Sequence, residues 1–396
     1  MIFKKKVLFV HHVSVVGGAS YCLLSIIKEL DRDKFEPIVL LHNKGPLVEE
    51  LHKLDVDIFF CNTLWFYPYN HSLYNFRNLI TIFNLYRSLS DFEKVIDTCQ
   101  PDIVYFNNTF LFPYLRVTKR KGIKSVIHIR EHWPLDQHQK QLRYIQREIN
   151  EKADKIIAIN EYSAKMISAD TSKTTIVYDW IEMSERYKYM PMDKIFAEDT
   201  SNLKVFIYTG GMQRIKGAYE VLKTFSECIT DPNSRLLVLG FTKDFSLCGT
   251  KGRIKNFLSK LGMSIYEKKV IAVANNDYRI VCIPSTYYVK HLFEQSYCML
   301  SYFTKPHANL AMAEAIIECL PCIAARTEEA IEYSQNGELA MLFDMNNISD
   351  FAMKIAYLDE KYDTLKGRLD LHSSKIKQKF SKKDNSQRLM SVLEAL

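Results

Sequence analysis

Short apolar runs alternate with helical patterns along this chain, and the alternation begins twice. The first series includes Val7-Leu8-Phe9-Val10, Pro37-Ile38-Val39-Leu40-Leu41, Ile58-Phe59-Phe60 and Ile103-Val104-Tyr105-Phe106. It continues with Ser125-Val126-Ile127-His128-Ile129, Lys155-Ile156-Ile157-Ala158-Ile159 and Thr175-Ile176-Val177-Tyr178. Strands that are apolar at every position, rather than at alternate ones, are buried on both faces, as in parallel sheets. Amphipathic segments lie between them, with Leu23, Leu24, Ile27 and Leu30 after Ala19 and Leu47, Leu51 and Leu54 after Gly45-Pro46.

The pattern restarts near residue 203 with Val205-Phe206-Ile207-Tyr208, Leu236-Leu237-Val238-Leu239 and Val270-Ile271. Ile280-Val281-Cys282-Ile283, Met299-Leu300-Ser301 and Cys322-Ile323-Ala324-Ala325 follow as further strands. The expected fold is therefore α/β, with two doubly wound Rossmann-like domains. Residues 1–185 form the first and 203–370 the second. Residues 186–202 link them, within a polar stretch from Met183 to Asn202 that has neither periodicity. Residues 371–396 read as a helical tail, with the first domain as a surface on which to pack back. A chain of 396 residues suits two such domains. Ligands in these folds bind at the carboxyl ends of strands, so the loops there are the ones to inspect.

Bulk properties narrow the class. Hydrophobic residues at 47% and charged residues at 25% are those of a soluble globular protein. No apolar run approaches the roughly 20 residues of a membrane-spanning helix. Lys4-Lys5-Lys6 before an apolar run resembles a signal peptide, but two histidines interrupt it and no small-residue cleavage site follows. A first strand and a cytoplasmic location are expected. The nine cysteines include one CxxC, Cys319 to Cys322, with no second pair to complete a metal set, so core packing is the better reading. No metal site is expected. The net charge of +7 is mild. Arg116-Val117-Thr118-Lys119-Arg120-Lys121 with Lys124 offers a surface for phosphates or an anionic membrane, whereas a nucleic-acid motif is missing. A second cluster, Lys375 to Lys383, reads equally well as a solvated helix face.

Four loops could carry chemistry. Val15-Val16-Gly17-Gly18-Ala19-Ser20 follows strand one and opens a helix, so a ligand anion could approach the backbone of Gly17 and Gly18. It is not the GxGxxG of dinucleotide enzymes, which disfavours a dehydrogenase. Thr209 to Gly217 places Gly211, Arg214 and Lys216 between a strand and a helix, an order suited to cradling a diphosphate. Pro306-His307-Ala308-Asn309-Leu310 leads into an apolar helix carrying Glu314. Asn309 is a candidate N-cap that leaves the N–H groups of Leu310 and Ala311 for a phosphate, and Glu314 could accept from both hydroxyls of a ribose. The plain alternative is a helix glutamate paired with a nearby cation. His128-Ile129-Arg130-Glu131-His132 ends a buried strand, and its ionisable groups suggest a pocket. His128 reads as a core histidine, and Asn107-Asn108-Thr109 ends another strand.

In order and spacing these segments, about residues 6 to 360, resemble the retaining glycosyltransferases of family 4, which have the GT-B fold of two domains facing across a cleft. That family commonly reads Gly-Gly-Ala-Glu in the first loop, where this chain has Ser20 in place of the Glu. Its Arg lies five residues before the Lys, where this chain has Gly211, with Arg214 as a substitute from the other side of the turn. Two glutamates normally stand eight positions apart in its nucleotide-sugar pocket. Glu314 matches the second, whereas Pro306 stands at the first. His307 and Glu318 are the nearby candidates to replace it. The family often has a His followed by an acidic residue where this chain has Arg130-Glu131, with His132 as a second candidate. Ala153-Asp154 to Asn160-Glu161 and Val177 to Glu182 add to the likeness, with Asn160-Glu161 for a Ser-Glu and Asp179-Trp180 for an Asn-Gly.

The resemblance implies sugar transfer from a nucleotide-diphosphate donor, with retention and without a metal or resident cofactor. The acceptor would be a cell-surface glycan or a lipid-linked one, as in lipopolysaccharide or capsule synthesis, at the inner face of a bacterial membrane. Donor-binding residues would be Gly17, Gly18, Gly211, Arg214, Lys216, Asn309, Leu310 and Glu314; catalytic ones would be Arg130, Glu131 and His132. The leading alternative is a GT-B protein that binds a nucleotide-sugar without turnover, because Pro306 replaces a glutamate that approaches the donor sugar. A GT-B nucleotide-sugar 2-epimerase would need a denser set of acid–base groups.

Overall fold

The computed structural model describes residues 4–15, 18–67, 76–133, 138–181, 190–241, 265–286 and 289–396. The chain divides into two compact units, one of residues Met1–Trp180 with Phe380–Leu396, the other of Ile181–Lys379.

In the first unit the order is β1 (Lys5–His11), α1 (Gly18–Glu29), β2 (Phe35–Leu41), α2 (Pro46–His52), β3 (Asp57–Phe60) and α3 (Phe76–Cys99). Then come β4 (Ile103–Phe106), a 3-10 turn at Thr109–Tyr114, α4 (Leu115–Lys121), β5 (Lys124–Ile129), α5 (Gln139–Lys152), β6 (Lys155–Ala158), α6 (Glu161–Met166) and β7 (Thr174–Ile176). All seven strands are parallel, in the order β3-β2-β1-β4-β5-β6-β7. Alternate residues serve opposite faces: Leu8 and Val10 join one core with Val104 and Ile127, while Val7 and Phe9 join the other with Tyr105 and Val126. Both faces being covered explains the unbroken apolar runs.

The second unit runs α7 (Met192–Phe196), β8 (Lys204–Tyr208), a 3-10 turn at Arg214–Lys216, α8 (Ala218–Cys228), β9 (Ser234–Leu239), α9 (Tyr266–Asn276) and β10 (Ile280–Ile283). It continues with α10 (Val289–Glu294), β11 (Cys298–Ser301), α11 (Leu310–Ile317), β12 (Cys322–Ala325), α12 (Glu328–Tyr333), β13 (Met341–Phe343), α13 (Ile348–Ala356) and α14 (Leu358–Lys379). Its six strands are also parallel, in the order β10-β9-β8-β11-β12-β13.

The run Val270-Ile271 is not a strand but part of α9. Val270 and Ala274, one turn apart, face the core, and the run is too short for its period to distinguish helix from strand. A last helix, α15 (Lys382–Glu394), belongs to the first unit. Leu389, Val392 and Leu393 enter the core beside Val7 and Phe9, and Asn385 Oδ1 accepts from the Tyr178 N–H at 2.9 Å.

Each sheet has one point where strand order reverses, between β1 and β4 in the first and between β8 and β11 in the second. Loops leaving the carboxyl ends of such a strand pair splay to opposite faces and leave a crevice. The segments after β8 and β11 carry Arg214, Lys216 and Asn309, with Glu314 in the helix α11 that follows; the loops after β1 and β4 carry His12, Asn107 and Asn108.

Candidate functional site

In the second unit, the loops after β8 and β11 are stitched together by backbone. The Thr304 N–H donates to the Ile215 carbonyl at 2.9 Å, and its hydroxyl reaches the Arg214 carbonyl at 3.3 Å. The Tyr208 hydroxyl donates to the Lys216 carbonyl at 3.1 Å. Gly217 then turns the chain into α8 with φ +67, and a Cβ there would lie 2.5 Å from both the ring and the carbonyl oxygen of Tyr302. Only glycine permits both that backbone and that approach. Gly211 is likewise left-handed, at φ +59, and packs against the backbone of Gly240.

Asn309 caps α11: its Oδ1 accepts from the Met312 N–H at 3.2 Å, and its Nδ2 donates to Ser301 Oγ at 2.8 Å. The helix is thereby tied to the carboxyl end of β11, with Leu310 and Ala311 in its first turn. Glu314, half-buried on the next turn, has its pKa pushed up to about 7 by removal from water, with Lys216 pulling it back. Burial lowers the Lys216 pKa in turn, and Glu314 opposes that. The fold thus brings Lys216 and Glu314 into one electrostatic pair. Arg214 is exposed and lines an open pocket with Met212, Gln213, Ile215, Ile265, Tyr266 and Glu267, a set that does not include Lys216 or Glu314. Glu318 forms the C-cap of α11, its carboxyl raised by burial, with Lys290 acting against the rise. His307 lies against Phe303, with ring centroids 5.5 Å apart.

In the first unit, the carboxyl ends of β1, β4 and β5 hold a connected polar group. The hydroxyl of Ser20, where the family Glu would stand, donates to the Val15 carbonyl at 2.7 Å and lies 3.1 Å from His11 Nε2. His11 Nδ1 is 3.1 Å from Asn107 Nδ2, and Asn107 Oδ1 accepts from Arg130 Nε at 2.8 Å. Arg130 Nη1 contacts both Asp179 oxygens, at 2.7 and 2.9 Å. Burial works against the Arg130 charge, but Asp179 outweighs it and the guanidinium stays above its usual range. Glu131 accepts from the Thr109 N–H at 2.7 Å and from Asn108 Nδ2. Burial raises its carboxyl against those donors.

His132 is buried and stacks on Tyr162, with centroids 5.5 Å apart. Burial drops the His12 pKa to about 4, and that of His11 and His128 well below the usual value, so all three are neutral imidazoles near pH 7. His128, expected in the core, is indeed buried, with Tyr105 OH 2.6 Å from its Nδ1. Gly18 opens α1 with open space around a would-be Cβ, whereas Gly17 lies outside the described residues. Sequence reasoning missed Tyr302 and Thr304, which hold the second-unit loops together. It also missed the pairing of Arg130 with Asp179 across 49 positions.

Residues 16–185 match the family model described as Glycosyltransferase Family 4. Over those residues the chain is similar to that family, and its fold is that of the two-domain GT-B proteins. Among solved structures it is similar to Anabaena HepE in complex with UDP-glucose, at 17% identity over 99% of this chain and 100% of that one, with a TM-score of 0.73. A glycosyltransferase from Rickettsia africae aligns at 16% identity over 98% and 97%, with a TM-score of 0.70. Sucrose-phosphate synthase from Thermosynechococcus elongatus aligns at 11% identity over 99% of both chains, with a TM-score of 0.67. No curated protein matches by sequence. The expected α/β class and the family resemblance agree with these findings. At these identities the structural likeness concerns the fold. No described helix is long and apolar enough to cross a membrane.

Proposed function

We propose that this GT-B chain transfers a sugar from a nucleotide-diphosphate donor to a cell-surface or lipid-linked glycan, with retention and without a metal. The observation that carries the reading is the pairing of Glu314 with Lys216 where β8 and β11 part. An ionised Glu314 would accept from both ribose hydroxyls. Lys216 and the first-turn N–H groups of α11 would meet the diphosphate. As the sugar leaves, charge grows on the diphosphate, and fixed cations and helix dipoles stabilise that charge without reorganising. Arg214, from its open pocket, would engage the donor from the side of Tyr266. HepE, which shares the fold, is a complex with UDP-glucose, and that supports a nucleotide-sugar here.

The first unit would hold the acceptor. Glu131 presents a half-buried carboxyl among Asn108 and Thr109, beside the neutral His12. Held by Asp179, Arg130 would act as a positioning residue rather than touch the sugar. His132, buried against Tyr162, would support the same loop. Gly17 and Gly18 would let the donor approach the opening of α1.

A second reading is favoured by one observation, Pro306 eight positions before Glu314. Under it the chain binds the nucleotide-sugar without turning it over. A screen of nucleoside diphosphates and their sugars by calorimetry, followed by hydrolysis and transfer assays on the best binder, tests both readings. Binding with turnover supports transfer; binding without it supports the second reading. If no nucleotide binds, or Glu314→Ala leaves affinity unchanged, the site assignment fails.

A further inference from the structure

Residues 61–67, which follow β3, are pinned by backbone hydrogen bonds at both ends yet turn two large aromatic side chains outward. The Cys61 N–H donates to the Leu41 carbonyl and the Tyr67 N–H to the Phe110 carbonyl, each at 2.9 Å. Between them the buried Tyr114 hydroxyl holds both backbone groups of one residue. It accepts from the Trp65 N–H at 3.1 Å and donates to the Trp65 carbonyl at 2.9 Å. Leu64 and Tyr67 are buried in the core, whereas Trp65 and Phe66 are 38% and 39% exposed. That exposure is not the exposure of a loose loop. A fixed backbone that presents aromatic rings to solvent suits binding, because the cost of ordering it has been met in advance.

The two rings begin a row of contacts along the carboxyl edge of the first sheet. Trp65 lies edge-on to His42, which follows β2, with centroids 6.3 Å apart. Phe66 lies edge-on to His12, which follows β1, at 5.4 Å. His12 Nε2 is 3.5 Å from Asn108 Nδ2 after β4, and Asn108 Nδ2 donates to Glu131 after β5. The row thus crosses the ends of five adjacent strands, β3-β2-β1-β4-β5. With about 4.8 Å between strands it runs to roughly 19 Å, longer than one pyranose ring. Its chemistry grades from aromatic rings at β3, through imidazoles, to an amide and a carboxyl at β5. His12 is neutral near pH 7, and no member of the row is a lysine or an arginine.

We propose that Trp65 and Phe66 are a stacking platform for a sugar ring of the acceptor, one ring back from the hydroxyl that receives the transferred sugar beside Glu131. The inference rests on the reading of the first unit as the acceptor side, and it names what that side recognises: a saccharide held by the apolar face of a pyranose. The C–H groups on such a face carry slight positive charge and lie well against the negative face of an aromatic ring. The hydroxyls at the ring edge are left for imidazole, amide and carboxyl groups. An isoprenoid tail could cover the platform but would set Asn108 and Glu131 against hydrocarbon. A phosphate at the other end of the row would meet a carboxyl where it needs a cation. The accepting group is therefore a sugar hydroxyl and not a lipid phosphate.

Tryptophan fluorescence provides a readout that needs neither turnover nor nucleotide. The chain has three tryptophans; Trp133 is buried and Trp180 is packed against the core, so acrylamide quenching reports mainly on Trp65. The full chain, with and without UDP, is titrated with the methyl pyranosides of glucose, galactose and mannose and with maltose, cellobiose and lactose. Quenching and saturation-transfer NMR are read together. At least one saccharide is expected to protect Trp65, with saturation concentrated on the C–H protons of one ring face and the disaccharide bound more tightly than its monosaccharide. Trp65→Ala with Phe66→Ala should weaken that saccharide about tenfold or more and abolish the preference for two rings. UDP affinity should stay within about twofold of the parent value, since Lys216 and Glu314 lie in the other unit. Trp65→Phe, which keeps an aromatic face, should retain saturation transfer while losing the fluorescence signal. Both side chains are exposed, and an unaltered circular dichroism melt would show that the variants fold. The platform is overturned if no saccharide of the set binds, if the double alanine variant binds as well as the parent, or if farnesyl phosphate protects Trp65 and the saccharides do not. Failure of the parent to bind UDP would instead sink the donor site, because the saccharide readout is obtained without nucleotide.

Discussion

Glu314 and Lys216 feel each other's charge without closing into a direct ion pair among the described residues, and each is pushed toward neutrality by burial. That is the state of a site prepared for a third party. A closed salt bridge would satisfy both groups and leave neither for a ligand. Here the carboxyl is poised near pH 7, where binding hydroxyl donors or a proton are close alternatives.

The first prediction concerns pH. An ionised Glu314 is needed to accept from ribose, so UDP affinity should rise with pH through about 7 in the parent chain. In Glu314→Gln it should be lower by roughly tenfold or more and lack that step. The linkage for stability has the opposite sense. Because the folded pKa lies above the ordinary 4.5, the folded state binds the proton more tightly, and stability is lost as pH climbs from 4.5 to about 7. Glu314→Gln should therefore be more stable than the parent above pH 7, by on the order of 2 kcal/mol, with little difference near pH 4. Calorimetric titrations and urea melts between about pH 4 and pH 9 check both senses.

Lys216→Ala should separate diphosphate from nucleoside. Loss of a point charge at the diphosphate should cost about 1.5–3 kcal/mol of UDP affinity and leave uridine nearly unaffected. Equal losses for both ligands would sink the phosphate role. Removing Lys216 also removes the pull on Glu314, so the pH step in UDP affinity should move upward. A cycle with Glu314→Gln should show non-additivity.

Gly217→Ala should damage the second unit through backbone and packing together. At φ +67 an alanine is strained, and its Cβ would sit 2.5 Å from Tyr302. A loss of about 2 kcal/mol or more in urea denaturation is expected, with UDP binding weakened because this junction holds Lys216. Gly18→Ala, with open space around it, should cost far less.

How much of this was legible beforehand depended on the distance over which each signal acts. The sheets could be read because parallel strands buried on both faces leave continuous apolar runs, and Asn309 could be read because a cap is a local device. Val270-Ile271 was misread because two β-branched residues in a row do not reveal their period until Ala274 is placed beside Val270. The pairing of Lys216 with Glu314 had loop order as its only sequence signal. The Thr304 link and the Tyr302 contact that enforce it cross from one loop to another. Arg130 attracted attention as an ionisable group at a strand end. Nothing in its neighbourhood of sequence pointed to Asp179, and chain topology alone brings that carboxylate to it.

That pair carries the last prediction. Arg130 is buried, with Nε on Asn107 and Nη1 on Asp179 at 2.7 Å. Asp179→Ala leaves a buried cation with one fewer partner and should destabilise the first unit by about 3 kcal/mol or more. Arg130→Met in the same background removes that unpaired charge, so the double variant should recover a large part of the loss. UDP affinity should stay near the parent value in both, since Lys216 and Glu314, proposed to meet the diphosphate and ribose, lie in the other unit. The discriminating readout is transfer. A double variant that regains stability and transfers sugar within a few fold of the parent identifies Arg130 as a positioning residue. One that is stable, binds UDP and transfers nothing would restore Arg130 to the reacting centre.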